Sequence, residues 1–253
     1  MPKFAANISF LFKNLDLKDR IAAAAEAGFQ AVEILFPYDD PVPDIARALS
    51  MAGLPLVLMN SPPPNYTGGA RGFAAIAGGE TRFRHDFRRA LRYAQALKST
   101  HIHVMAGVAT GADARAAFVE NLRFATEVAP KHMLTIEPIN QGDMPGYFLS
   151  DYHLADDILD EVGAKNLALQ FDVYHAQKIT GDAMAAWDRH GARAAHIQIA
   201  GLPDRNEPLA GPVDYPAFFR RLDEQGYAGF VSAEYHPAAD TSAGLGWLKQ
   251  AIG

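Results

Sequence analysis

Eight short apolar runs recur along this chain, and each is followed by a stretch of helical periodicity. The runs are FAANIS (4–9), AVEIL (31–35), LVLMN (56–60), HIHVM (101–105), MLTIE (133–137), LALQFD (167–172), AAHIQI (194–199) and GFVSAE (229–234). They are too short for helices, and their near-continuous apolar character suits strands buried on both faces. The helical stretches run from about Leu17 to Ala27, Pro43 to Ala52, Glu80 to Leu97, Asp113 to Val128, Tyr152 to Val162, Asp182 to His190, Tyr215 to Gln225 and Thr241 to Ala251. Gly28, Gly53, Gly163 and Gly226 stand where a left-handed cap would end a helix. Strands alternating with helices imply βαβ units and a parallel sheet. Eight units in 253 residues predict a (β/α)8 TIM barrel, an α/β fold in one domain over 1–253. A doubly wound open sheet would carry a glycine-rich phosphate turn after its first strand, and NISFLFKN is not one.

Composition narrows the function classes. Hydrophobic residues make up 49%, enough for a large core. A net charge of −6 argues against a nucleic-acid partner and leaves any anionic substrate to a few placed cations. The absence of cysteine removes disulfide and thiolate chemistry and fits a reducing cytoplasm. The opening MPKFAANISFLFKN is interrupted by Asn7 and Ser9 and reads as a first strand, not a signal peptide. No segment approaches the roughly 20 apolar residues of a membrane helix. The expectation is a cytoplasmic protein acting on a small molecule, with a homo-oligomer as an open alternative to a monomer.

TIM-barrel chemistry sits at the C-terminal ends of the strands. Four consecutive ends read IEP, QFD, IQI and SAE, contributing Glu137, Asp172, Gln198 and Glu234. Neighbouring strands lie about 4.8 Å apart, so the four side chains can converge above the barrel. Three carboxylates in one cleft repel one another unless a cation neutralises them. An all-oxygen set suits Mg²⁺ or Mn²⁺ better than zinc. The two glutamates could double as proton carriers. Taken singly, each would be read as a rim residue; their joint occurrence carries the argument. Glu33 is followed by Ile34 and Leu35 and reads as a structural hydrogen-bonding residue near the mouth.

Other polar residues keep two readings. His175, three residues beyond Asp172, is either a donor to a substrate oxygen or a capping or buried histidine. His101 and His103 share one strand face, with packing expected for at least one; His196 reads as core. Arg205, in the loop after the seventh strand, is either a bidentate carboxylate partner or a solvated charge, and local sequence favours the second. The Pro- and Gly-rich loop from Ser61 to Gly79, with Arg71, is a candidate lid.

The stretches FAANISFLF, GFQAVEILFPYD, IEPIN, QFDVYHAQK, QIAGLPDRNEP and AEYHP, in this order over nearly the whole chain, resemble the hydroxypyruvate isomerase family of xylose-isomerase-like TIM barrels. HVMAGV, HAQK and QIAGLPDR are more similar to its 2-oxo-tetronate isomerase branch, and IEPIN to hydroxypyruvate isomerase itself. The resemblance implies Glu137 and Glu234 as the acid/base pair, and Glu137, Asp172, Gln198 and Glu234 as the divalent-metal set. More weakly, it implies His175 and Arg205 as substrate contacts. Related ketose epimerases have histidine where Gln198 stands. Pro212 replaces a usual glutamate and His236 a common lysine, which bears on substrate selectivity. The expected reaction removes a proton from a hydroxyl-bearing carbon, passes through an enediolate, and returns a proton to the neighbouring carbon. Hydroxypyruvate would give tartronate semialdehyde; 2-oxo-tetronate would give 3-oxo-tetronate. The rival readings are an apurinic-site endonuclease, which would want a histidine-rich zinc cluster and a basic groove, a ketose epimerase or aldose–ketose isomerase on free sugars, and a non-catalytic sugar-acid binding protein.

Overall fold

Eight parallel strands pair in chain order, and the last returns to the first, closing a barrel. They are β1 (Lys3–Asn7), β2 (Ala31–Glu33), β3 (Leu56–Asn60), β4 (His101–His103), β5 (Met133–Ile136), β6 (Leu167–Asp172), β7 (Ala194–Ile199) and β8 (Phe230–Ala233). The computed structural model describes residues 1–61, 72–209 and 211–252. Most of the candidate lid, including Arg71, lies outside the described residues. The helices are α1 (Leu17–Glu26), α2 (Val42–Ala52), α3 (Glu80–Leu97), α4 (Gly111–Val128), α5 (Tyr152–Val162), α6 (Val173–Thr180), α7 (Ala183–His190), α8 (Tyr215–Glu224), α9 (Thr241–Gly244) and α10 (Gly246–Ile252). None described is long and apolar enough to cross a membrane.

Local chemistry sets the helix ends. Asp151, Asp182 and Asp214 each accept a backbone N–H of the first turn, satisfying a donor that the helix leaves orphaned. Gly53 closes α2 with φ 67°, which a side chain would disfavour. Two elements differ from the sequence expectation. The sixth strand is followed at once by α6, because Asp172 ends the strand and caps the helix through Tyr174 N–H and His175 N–H. The last helix divides into α9 and α10 around Leu245.

Alternate strand residues face opposite sides. One set, including Ala6, Val32, Ile102, Leu134, Leu169, Phe171, Ile197 and Val231, packs outward into the main apolar core beneath the helices. The other set fills the bore. Register places Asn7 opposite Glu33, His103 opposite Thr135, Gln170 opposite His196, Asp172 opposite Gln198, and Gln198 opposite Ser232. TIM-barrel bores are commonly packed with bulky branched residues. Here the upper bore is polar, and a small apolar cluster of Ala5, Ala31 and Val57 lies toward the opposite end.

Candidate active site

Glu137 immediately follows β5, and Pro138 denies the strand a further donor. Its Oε2 accepts from Gln170 Nε2 at 3.1 Å and lies 3.6 Å from His103 Nδ1; its Oε1 is 3.8 Å from His175 Nε2. Asp172 divides its oxygens: Oδ1 caps α6, while Oδ2 accepts from Arg205 Nη2 at 3.1 Å and lies 3.6 Å from His175 Nε2. Glu234 follows β8. Its Oε1 accepts from Arg205 Nη2 at 2.6 Å, and its Oε2 from Asn7 Nδ2 at 2.9 Å and from Gln198 Nε2.

Gln198 has a fixed amide. Its nitrogen also donates to Glu33 Oε1 at 2.6 Å, and its oxygen accepts from Gln170 Nε2 at 2.7 Å. Gln170 is held in turn by the Thr135 hydroxyl, which donates to its Oε1 at 2.9 Å. Asparagine fixes His175 in the same way. Asn140 Oδ1 accepts from Asp143 N, which turns its NH2 toward His175 Nδ1 at 2.7 Å. The imidazole proton therefore sits on Nε2, aimed at Glu137 and Asp172. Burial pushes His175 down to about 4, so the ring is neutral.

Arg205 overturns the local-sequence preference for a solvated charge. Its side chain is only 16% exposed, and its backbone takes φ 57° to fold over the barrel mouth. The guanidinium lies over the rings of Phe10 and Tyr174, 5.5 and 5.2 Å from their centroids. Burial opposes its charge, but Glu234, Asp172 and Glu137 outweigh that and raise its pKa.

These groups share a cavity of about 90 Å³, lined among others by Asn60, His103, Glu137, His175, Arg205 and Glu234. Burial pushes the Glu137 carboxyl well above the ordinary range, helped by the charges of Glu234 and Asp172. Burial also raises Glu234, although Arg205 pulls the other way. Glu33, in the bore below, is pushed up to about 7 by burial. His101, His103 and His196 are held down to about 3, burial being the main cause. His103 reaches the cavity, while His101 lies against His196 with ring centroids 5.5 Å apart. His236 packs edge-on against Phe10, and its backbone N–H donates to the Arg205 carbonyl. Pro212 is exposed.

The donor chemistry offers a seat for a metal ion. Glu137, Asp172 and His175 offer ligand atoms within 4.8 Å of one another. The carboxylates suit a hard cation, and His175 could ligate only after giving up its Nε2 proton. Gln198 and Glu234 stand on the adjoining strands, engaged with Glu33, Asn7 and Arg205.

Sequence reasoning missed Asn7, Asn60, Asn140 and Gln170. One signal was present: counting back two residues from Glu137, Asp172, Gln198 and Glu234 gives Thr135, Gln170, His196 and Ser232, all polar on the same face.

The model of the xylose isomerase-like TIM barrel family matches residues 21–251. A 2-oxo-tetronate isomerase of Cupriavidus necator is 46% identical over the full length of both chains. The chain belongs to the hydroxypyruvate isomerase family of xylose isomerase-like TIM barrels. Within that family, hydroxypyruvate isomerase of Escherichia coli is 37% identical over 98% of each chain. A crystal structure from Brucella melitensis described as AP endonuclease, family 2, is 40% identical, covers 99% of each chain and superposes with a TM-score of 0.95.

Proposed function

We propose that this isomerase moves the carbonyl of a small 2-oxo hydroxy acid to the neighbouring carbon through an enediolate, with Glu137 and Glu234 as proton carriers. One observation carries the reading: two buried carboxyls, both with pKa values raised, open on one small cavity beside a guanidinium. A carboxyl tuned toward neutrality can both take and return a proton. The substrates named for the relatives, 2-oxo-tetronate and hydroxypyruvate, fit that chemistry.

Arg205 and His175 hold the substrate oxygens. Arg205 Nε is buried without a hydrogen-bond partner among the described residues, a donor left for an anionic oxygen. His175 presents Nε2–H between Glu137 and Asp172. His103 Nδ1 meets Asn60 Oδ1 at 3.2 Å, which leaves Nε2, unpartnered among the described residues, to accept from a hydroxyl. One glutamate takes the proton from the hydroxyl-bearing carbon, and the other gives one to its neighbour. At about 90 Å³ the cavity has room for only a few waters, which suits a three- or four-carbon acid better than a hexose. Glu137 and Asp172, with Gln198 and Glu234 alongside, would hold Mg²⁺ or Mn²⁺, which when bound supplies positive charge against the substrate oxygens. In this reading the whole chain, 1–253, is one cytoplasmic domain, working alone or as a homo-oligomer, with no nucleic-acid or membrane partner.

The test is NMR in D2O with 2-oxo-tetronate and hydroxypyruvate, with and without chelator, beside free ketoses and abasic DNA. Isomerisation of either acid supports the reading. Turnover of sugars alone, cleavage of the DNA, or binding without carbon-bound hydrogen exchange overturns it.

A further inference from the structure

Glu33 is fully buried at the end of β2, beneath the reacting carboxylates, and the proposed reaction leaves it unused. Its Oε1 accepts from Asn7 Nδ2 at 2.8 Å and from Gln198 Nε2 at 2.6 Å. Its Oε2 meets His196 Nε2 at 2.9 Å. The same two amide nitrogens both donate to Glu234 Oε2. An amide NH2 has two hydrogens, so each amide gives one to Glu33 and one to Glu234. Two carboxylate oxygens and two amide nitrogens thus close a four-cornered ring. Neither amide can turn over freely, because Asn7 Oδ1 accepts from Ser9 N at 3.0 Å and Gln198 Oε1 from Gln170. Glu234 Oε1, held by Arg205, is the oxygen outside the ring.

We propose that Glu33 is a positioning residue for the isomerisation, acting through Asn7 and Gln198 to hold Glu234 so that a single oxygen is presented to the substrate. The role rests on the proton-carrying function proposed above for Glu234. What the ring needs from position 33 is an acceptor in the place of Oε1. Glutamine can keep its carbonyl oxygen there and turn its NH2 to His196 Nε2. The imidazole proton then moves to Nδ1, which has no partner among the described residues. Aspartate keeps the charge but is one methylene short, and leucine keeps the bulk without an acceptor.

The experiment compares wild type, Glu33→Gln, Glu33→Asp and Glu33→Leu on 2-oxo-tetronate and hydroxypyruvate in D2O. It reads kcat, KM and the ratio of substrate hydrogen washout to isomerisation, with folding checked by circular dichroism. Glu33→Gln should stay within a few-fold of wild type. Glu33→Asp and Glu33→Leu should lose about 10²-fold in kcat with KM little changed, the scale of a misplaced reacting group. Their washout ratio should depart from the wild-type value, because Glu234 serves only one of the two proton transfers and its displacement changes how the enediolate divides between return and product. Folded Asp and Leu variants with wild-type kcat and ratio overturn the role, as does equal damage from Gln and Leu. If the leucine variant does not fold, the aspartate variant decides. A wild-type protein that isomerises neither acid overturns the proposed function and this role together; wild-type turnover with an unaffected aspartate variant overturns this role alone.

Discussion

Arg205 Nη2 lies 2.6 Å from Glu234 Oε1, inside the mouth of the barrel. The same nitrogen is 3.1 Å from Asp172 Oδ2, so one guanidinium neutralises carboxylates from two strands. Removing it leaves both uncompensated. Breaking a buried pair by deleting one partner commonly costs about 3–5 kcal/mol. Arg205→Ala should therefore lower the melting temperature as well as kcat/KM. Arg205→Lys keeps the charge but not the planar fork, and should recover stability more than activity. Thermal melts beside steady-state kinetics measure both; an alanine variant with wild-type melting and kcat/KM would show the pair to be inert.

The two glutamates should differ in how their loss is felt. Glu137 accepts one close hydrogen bond, whereas Glu234 accepts three and is ion-paired. Loss of a proton carrier costs about 10²–10⁴-fold in rate. Glu137→Gln and Glu234→Gln should each lose activity on that scale. Glu137→Gln should melt at or above the wild-type temperature, because it removes a carboxyl whose charged form is disfavoured by burial and by Glu234 and Asp172. Glu234→Gln should melt lower, because Arg205 loses a partner. Near-normal turnover in either variant counts against its role.

The site was legible where a polar residue interrupts an apolar run at a strand end. That pattern picked out Glu137, Asp172, Gln198 and Glu234, and the structure puts all four at the same end of the bore. Arg205 was named as a substrate contact only through the family resemblance; its burial was not legible locally, because it comes from a loop folding back at φ 57° and from the rings of Phe10 and Tyr174, which are distant in the chain. Asn7 was hidden in the first apolar run, where nothing local says which parity faces the bore. The helix α6 escaped notice because it begins without a connecting loop and its first turn carries site residues. The sheet itself was legible because apolar strands and capped helices report their own periods. The amide ring under Glu234 depends on four strands meeting, which no local pattern encodes.

The pH dependence of stability has two opposing arms. Glu33 is raised from the usual glutamate value to about 7 by burial, so the folded state holds its proton more tightly than the unfolded chain does. Its contribution is complete below about pH 4.5 and is lost as pH rises through about 7. A shift of that size is worth on the order of 3 kcal/mol. His101, His103, His175 and His196 act in the opposite sense. Their folded values are depressed, so their contribution is present above the unfolded histidine value near 6.5 and falls as pH drops toward 3 or 4. Glu33→Gln removes Glu33's share of the first arm, to which the raised carboxyls of Glu137 and Glu234 also contribute. Between pH 4.5 and 7 its melting temperature should rise relative to wild type, and the difference should level off above pH 7. A wild-type-minus-variant difference that is flat across this range would mean that Glu33 titrates normally.

Metal binding should depend on Asp172 separately from its capping role. Asp172 Oδ1 caps α6, while Oδ2 faces Arg205 and His175. Asparagine caps a helix about as well as aspartate, so Asp172→Asn should leave α6 and the overall fold intact. The variant loses a hard anionic ligand, and Mn²⁺ affinity measured by calorimetry should fall at least about tenfold. The same variant should lose the pairing that steadies Arg205, raising KM for either acid. Mn²⁺ titrated into wild type should raise the melting temperature, and chelator should reverse the rise. Equal Mn²⁺ affinity in wild type and Asp172→Asn, with the fold unchanged, would remove Asp172 from the ligand set and leave it as a cap and a partner of Arg205.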